Sequence, residues 1–153
     1  MLKEFYNIKV KEIMIPLRNT PYIVENACCG VFLKKLSVRA HAWAVNNTEE
    51  MKVVGVVTEH DMLRSMIPPG QKKERMFGVS KDHMLHKESV VQDIMRRNPV
   101  TCSPEETVAD VLNKFSSFDI RRLAVVDENK RLLGEVTIQR LLKKLRLKFM
   151  NMI

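Results

Sequence analysis

The sequence predicts an α+β fold built from one β-α-β-β-α unit that occurs twice. The first observation is a repeat: Val10–Met14 (VKEIM) recurs 81 residues later as Val91–Met95 (VQDIM). A second segment, Gly55–Thr58 (GVVT), recurs as Gly134–Thr137 (GEVT) after 79 residues. The difference of two residues falls in a polar turn between apolar strands, where a change of length costs little. Each copy of the unit is too short to bury a stable hydrophobic core on its own, so we expect the two copies to pack sheet to sheet.

The second copy shows the order of elements clearly. Residues 100–102 form a short extended stretch, and Ser103-Pro104 followed by two acids is typical of a helix start. We therefore expect a helix with Ser103 as its N-cap and Pro104 in its first turn. Its apolar face should carry Val108, Val111, Leu112 and Phe115.

The rest of the second copy reads as a hairpin and a helix. The apolar runs 123–126 and 132–136 flank a polar turn, which predicts two antiparallel strands. A final helix is expected from about Ile138, with Leu141, Leu142 and Leu145 on one face.

The first copy follows the same order. It predicts a helix near 29–36, strands near 42–45 and 52–57, and a helix near 59–66 that ends before Pro68-Pro69-Gly70. A charged run follows, in which a short helix at 72–77 is possible. The chain is therefore divided into a first motif over 1–66, a linker over 67–90 and a second motif over 91–153.

Composition and charge limit the class of protein. The hydrophobic and charged fractions, 45% and 29%, are those of a globular chain and exclude collagen-like, disordered and disulfide-scaffold classes. The net charge of +8 fits a nucleic acid, an anionic small ligand or simple solubility. Enzyme motifs are missing, since there is no Gly-x-Gly-x-x-Gly, no Walker loop and no His-Glu-x-x-His.

Cysteines and termini predict a cytoplasmic protein. Cys28, Cys29 and Cys102 contain no Cys-x-x-Cys spacing, so we expect reduced, packed thiols and no zinc site. His83 and His86 have metal-like spacing but lie in the linker without further ligands. No apolar stretch approaches the ~20 residues of a membrane span, and the charged N-terminus is unlike a signal peptide.

Taken in order, four segments of the second copy resemble a CBS motif. They are Asp93–Met95, Thr107–Ala109, Ile120–Asp127 and Gly134–Thr137, and the first copy, ending Gly55–Asp61, resembles another. The resemblance covers roughly residues 8–148 and implies a stand-alone CBS pair, or Bateman module, with pseudo-twofold symmetry. It also implies a non-catalytic sensor that binds AMP, ADP, ATP or S-adenosylmethionine between the motifs, forms a disc-like homodimer and signals to an effector protein.

Thr58 and Asp61 are the best candidates for ligand contacts. A helix N-terminus offers unpaired N–H groups that suit phosphate, and Thr58 adds a hydroxyl there. Asp61, one turn in, can accept hydrogen bonds from both ribose hydroxyls. The same Thr-x-x-Asp spacing is also close to a capping box, which stabilises a helix without any ligand; the two roles are compatible.

The second copy departs from this pattern, since Arg140 stands where Asp61 stands in the first. An arginine cannot accept hydrogen bonds from a ribose, so we expect one good site per chain and a second that is empty, weak or differently selective. The residues assigned to this possible second site are Thr137, Val136, Arg39, His41 and Thr101.

Cations and an apolar surface complete the predicted main site. The resemblance implies that Arg121 and Arg122 reach the ligand held at Thr58 and Asp61, where forked hydrogen bonds would suit phosphate; Arg122 is the one expected to face the cleft. The alternative is a solvated surface pair, because consecutive strand residues point to opposite faces. The adenine is expected against Val56 and Val57 on one side, and against Pro21, Tyr22 and Ile23 on the other. Tyr22 could stack on the base or belong to the core or surface, and Trp43 is expected in the core or an interface.

The C-terminal helix keeps an alternative function open. It carries Arg140, Lys143, Lys144, Arg146 and Lys148 without an acid, and could track nucleic-acid phosphates. Its leucines could also lie on a partner or an anionic membrane. A solvated basic face over a leucine core or dimer interface is the simpler interpretation.

Overall fold

The computed structural model describes residues 2–36, 40–68 and 89–152. These residues form two compact units. We call residues 21–99 the Asp61 unit, and residues 1–20 together with 100–153 the Arg140 unit. Each unit contains one four-stranded sheet and its helices, so the tandem α+β fold is confirmed.

The Asp61 unit has the strand order β2-β3-β4-β5. Its strands are β2 (Tyr22–Val24), β3 (His41–Val45), β4 (Val53–Thr58) and β5 (Arg96–Arg97). Strands β2 and β3 are parallel, whereas β3 to β4 and β4 to β5 are antiparallel. Helices α3 (Cys29–Leu36) and α4 (Glu59–Met66) end where the first copy predicts.

The Arg140 unit repeats this plan with the order β1-β8-β7-β6. Its strands are β1 (Ile15–Pro16), β6 (Thr101–Cys102), β7 (Arg122–Val126) and β8 (Leu132–Thr137). Its helices are α1 (Leu2–Tyr6), α2 (Val10–Ile13), α5 (Val108–Phe118) and α6 (Ile138–Met150). The predicted hairpin and final helix are confirmed.

The N-cap of helix α5 lies four residues later than the prediction, so the assignment of the N-cap to Ser103 is wrong. Its N-cap is Thr107, whose hydroxyl accepts from the N–H of Asp110. Ser103 instead starts a separate turn, in which its N–H donates to the Glu106 carboxylate at 2.6 Å. Two positions predicted on apolar faces, Leu112 and Leu142, are exposed.

The first segment of each repeat packs in the unit of the other repeat. The N–H of Val10 donates to the carbonyl of Glu106 at 2.8 Å, and the N–H of Val91 donates to Ala27 at 2.9 Å. The packing units therefore differ from the divisions 1–66, 67–90 and 91–153, which follow the repeat in sequence. Most of the predicted linker, with its possible helix at 72–77 and both of its histidines, lies outside the described residues.

Each unit has its own hydrophobic core. In the Asp61 unit, Phe32, Val57, Met62 and Met95 are among the buried residues that pack together. Trp43 on β3 is buried, as predicted, and its ring meets His41 edge to face at 5.9 Å. Cys29 and Cys102 are buried free thiols, but Cys28 is exposed, so the expectation of packed thiols is wrong for Cys28.

Candidate functional site

Thr58 ends β4 and caps α4. Its Oγ accepts from the N–H of Asp61 at 3.3 Å, while its own N–H and hydroxyl donate to Asp61 Oδ2 at 2.9 and 3.0 Å. Extended backbone at Thr58, followed at once by helix, brings these groups together. The capping interpretation of Thr-x-x-Asp is confirmed. Binding of a ligand by the same two residues stays a prediction, since the two roles are compatible.

Asp61 is buried, with 1% of its side chain exposed. Its Oδ1 accepts from Nε of Arg96 at 3.2 Å, and Nη1 of Arg64 lies 3.9 Å from the same oxygen. Two cations therefore offset one buried carboxylate, which is the arrangement that makes a buried charge tolerable. Arg96 is not among the residues predicted from the sequence, although it directly follows the repeated VQDIM segment.

Gly55 explains why Arg96 reaches Asp61. A Cβ on Gly55 would lie 2.6 Å from Met95 Sδ and 2.9 Å from the Arg96 carbonyl, so only glycine allows β5 to approach this closely. The pairing Gly55 to Arg97 and Val56 to Arg96 then fixes the position of Arg96 beside the start of α4.

Three further predicted residues lie around Thr58 within the same sheet. His41 is buried and stands opposite Thr58 in the register of β3 and β4. Val57 lies in the core beneath the helices, whereas Val56 points to the other face and is half-buried. A ligand at the end of β4 would therefore meet the side chain of Val56 but only the backbone of Val57.

Pro21, Tyr22 and Ile23 lie on the far side of β3 from these residues. Because β3 separates β2 from β4, the two predicted adenine flanks are about 10 Å apart within the sheet. Ile23 is buried in the core. Tyr22 lies under Lys35, whose Nζ is 5.4 Å from the ring centre and donates to the Tyr22 carbonyl at 2.7 Å.

The possible second site has a different chemistry. Thr137 caps α6 by accepting from the N–H of Arg140 at 3.0 Å, and Nε of Arg140 donates to the Ile13 carbonyl at 2.9 Å. Val136 is buried in the core, and Thr101 lies on β6 beside a cavity of ≈ 560 Å³. Arg39 lies outside the described residues.

Arg121 and Arg122 both lie at the start of β7 in the Arg140 unit. Arg121 is exposed, and Arg122 is half-buried opposite Thr137 in the register of β7 and β8. Within its own unit, Arg122 therefore occupies the position that His41 occupies opposite Thr58. Their contribution to a ligand held at Thr58 stays a prediction, since those residues belong to the other unit.

Helix α6 carries the basic residues that the sequence singled out. Lys143 and Arg146 are exposed, and Lys148 forms an ion pair with Glu4 at 3.4 Å. Leu141 is buried in the core, while Leu142, Leu147 and Met150 are exposed. Of the leucines predicted to lie in a core or a dimer interface, Leu141 therefore lies in the core of this unit, whereas Leu142 and Leu147 do not.

Comparisons with known proteins agree with this architecture. The CBS domain family matches residues 91–147. Arabinose 5-phosphate isomerase KdsD of Francisella tularensis is 31% identical over 88 residues, which are 58% of this chain and 26% of the isomerase. The chain spans less than half the length of the curated relatives it matches.

Two solved structures resemble nearly the whole chain. CBSX2 in complex with AMP has a TM-score of 0.71 at 20% identity, covering 92% of this chain and 98% of that one. The CBS domain pair of protein MJ0100, in complex with 5′-methylthioadenosine and S-adenosyl-L-methionine, has a TM-score of 0.66 at 25% identity with the same coverage. Residues 91–147 therefore contain a CBS domain, and the repeated unit and the two sheets give the chain the fold of a CBS-domain pair.

Two other kinds of site are not found in the described parts of the chain. Across residues 2–36, 40–68 and 89–152, no helix has the length and apolar character that crossing a membrane requires. The same residues contain no group of three or more His, Cys, Asp or Glu side chains that could hold a metal ion.

Proposed function

We propose that this protein is a non-catalytic regulatory module that binds an adenosine-containing ligand at Thr58 and Asp61. The ligand class comprises AMP, ADP, ATP and S-adenosylmethionine. The observation that carries the proposal is the buried Asp61 carboxylate at the first turn of α4. Support also comes from similar CBS pairs whose structures contain AMP or S-adenosyl-L-methionine.

The first turn of α4 provides groups for both halves of such a ligand. Glu59 donates its N–H to the Ala40 carbonyl at 3.0 Å, and the N–H of Asp61 is used by the cap. Within the described part of the chain, the N–H of His60 has no partner, so it is available to an anion together with the positive end of the helix dipole. Asp61 supplies the acceptor for the ribose hydroxyls.

Arg121 and Arg122 are proposed as the cations that neutralise the phosphates, and Val56, Pro21 and Tyr22 as the surface for the base. Guanidinium groups form forked, charge-assisted bonds to phosphate oxygens, which makes arginine well suited to this task. Ligand binding is proposed to change the relation of the two repeats or of two copies of the chain, and so to signal to an effector protein.

A calorimetric titration tests the ligand class directly. Folded protein is titrated with AMP, ADP, ATP, S-adenosylmethionine and NAD, and we expect saturable binding of at least one adenosine ligand at one site per chain. Sedimentation with and without that ligand tests the proposed homodimer. A folded sample that binds none of these compounds contradicts the proposal.

A second function, nucleic-acid binding, is favoured by one observation on α6. This helix contains five basic residues and no acid, and Lys143 and Arg146 are exposed. An electrophoretic shift with duplex DNA and with RNA at rising salt tests it. Binding that weakens steeply with salt supports this function, and no shift at low salt contradicts it.

A further inference from the structure

Both carboxylate oxygens of Asp61 already accept hydrogen bonds from groups of the protein itself. Oδ2 accepts from both the N–H and the hydroxyl of Thr58, which uses its two lone pairs. Oδ1 accepts from Nε of Arg96, and the whole side chain is 1% exposed. Oδ1 keeps one lone pair beside that bond, but the carboxylate is buried, so a ribose hydroxyl can reach Oδ1 only when the Arg96 side chain moves away.

The contact that closes Asp61 is easily exchanged. Arg96 donates to it through Nε alone, and 52% of the Arg96 side chain is exposed. The four N–H donors on its two terminal nitrogens have no hydrogen-bond partner within the described residues. Arg64, 3.9 Å from Oδ1, stays beside the carboxylate when Arg96 leaves, so the buried charge keeps one cation.

We propose that Arg96 acts as an exchangeable cover on Asp61, which makes the site selective for adenosine ligands that carry phosphate. A ligand with a phosphate gives the displaced guanidinium a new anionic partner. A neutral nucleoside breaks the Arg96 to Asp61 contact and leaves the arginine without an anionic partner. This role rests on the proposed function and assigns the ligand charge that the site prefers. Arg96 is a specificity-determining residue in this account.

The charges around Asp61 fit this preference. Two arginines face one carboxylate, so the cluster has a surplus positive charge before any ligand arrives. Hydrogen bonds between charged groups contribute about 1.5–3 kcal/mol each, which corresponds to a discrimination of at least about tenfold. In the Arg140 unit, Arg140 stands at the position of Asp61 and donates to the Ile13 carbonyl, so no carboxylate is covered there.

The test compares AMP with adenosine in the protein and in Arg96→Met, which keeps a long apolar stem but removes the charge and the donors. We expect adenosine to bind more tightly to Arg96→Met than to the unchanged protein, and the preference for AMP over adenosine to fall about tenfold. Arg97→Met is the matched control, since Arg97 is the exposed neighbour on β5 and has no ion pair within the described residues. Arg96→Lys keeps the charge without the fork and should retain part of the preference.

The outcomes separate the two proposals. An unchanged preference in a folded Arg96→Met protein overturns the role of Arg96, as does an equal loss of affinity for both ligands, which would indicate a structural role only. A fall of the same size in Arg97→Met also overturns it, because the effect would then come from the general charge of β5. An unchanged protein that binds AMP no better than adenosine overturns the selectivity, and one that also binds none of ADP, ATP and S-adenosylmethionine contradicts the proposed function as well.

Discussion

Asp61 and Arg140 occupy the same position of the two repeats but pair in opposite senses. Asp61 on α4 accepts from the Arg96 side chain, whereas Arg140 on α6 donates to the Ile13 carbonyl. In both units the partner lies in the segment that contains the repeated VKEIM or VQDIM motif. The side chain at this position therefore connects the last helix of a repeat to the segment that contains VKEIM or VQDIM. Only in the Asp61 unit is this side chain a carboxylate at the start of that helix.

Replacing Gly55 with alanine should destabilise the protein. The new Cβ would meet the Arg96 carbonyl, and a backbone group cannot move aside as a flexible side chain can. We expect a loss of about 1–3 kcal/mol in the free energy of unfolding, measured by urea denaturation.

Gly30→Ala is the control for this substitution. Its Cβ would lie 3.8 Å from Cys28 Sγ, an ordinary contact, in the first turn of α3. Here alanine should stabilise the protein by up to roughly 0.5–1 kcal/mol because glycine is a poor helix residue. Equal effects at the two glycines would contradict the close approach of β5.

Glu105 should titrate far below an ordinary glutamate. Hydrogen bonds from Lys9 and Lys11, at 2.9 Å each, lower the pKa of Glu105 from 4.5 to about 2. Because the pKa is lower in the folded state, the ionised side chain favours folding above pH 4.5, and this contribution disappears as the pH falls from 4.5 toward 2.

Carbon-detected NMR titration measures this pKa directly. Replacing both lysines by methionine should raise it toward 4.5, and high salt should raise it in part, since the three side chains are exposed. An unchanged pKa in the double variant would show that the lysines are not its cause.

Only one of the three thiols should react quickly in the folded protein. Burial raises the pKa of Cys29 to about 11 and that of Cys102 to about 12, so both are protonated at pH 8 as well as shielded. Cys28 is exposed. A chromogenic disulfide reagent should therefore modify one thiol per chain rapidly, and none in Cys28→Ser; three equal rates would contradict the buried positions.

Local patterns predicted the elements that depend on local chemistry. Apolar runs and the Thr58 cap were sufficient to place β4, α4 and the second hairpin. The start of α5 was misplaced because Ser103-Pro104-Glu105-Glu106 matches a helix start, yet these residues form a separate turn before Thr107 in which Glu106 accepts from the N–H of Ser103. Glu105 pairs with Lys9 and Lys11, and Glu106 pairs with Lys114 at 2.7 Å.

Long-range pairing explains what sequence reasoning missed at the candidate site. Arg96 is 35 residues from Asp61, and their contact depends on the pairing of β4 with β5. No local pattern reports such a pairing, although a glycine inside a strand, such as Gly55, is a general sign of close approach by another backbone. The repeat of VKEIM as VQDIM was the signal that could have identified the pairing of β4 with β5. It placed the residues that follow each motif in equivalent positions of the two repeats.

The most direct test of the account is an AMP titration of Asp61→Asn beside Asp110→Asn. Asp110 forms the same capping box with Thr107, at distances of 2.9, 3.0 and 3.3 Å, but it is exposed and lies at the start of α5. Both substitutions weaken one helix cap, so the comparison removes the effect of the cap itself; because Asp61→Asn also removes the partner of Arg96 and Arg64, only variants shown to be folded are compared. We predict that Asp61→Asn lowers the affinity for AMP at least about tenfold while Asp110→Asn leaves it unchanged. Equal affinity in the two folded variants would contradict the assignment of Asp61 to the ligand.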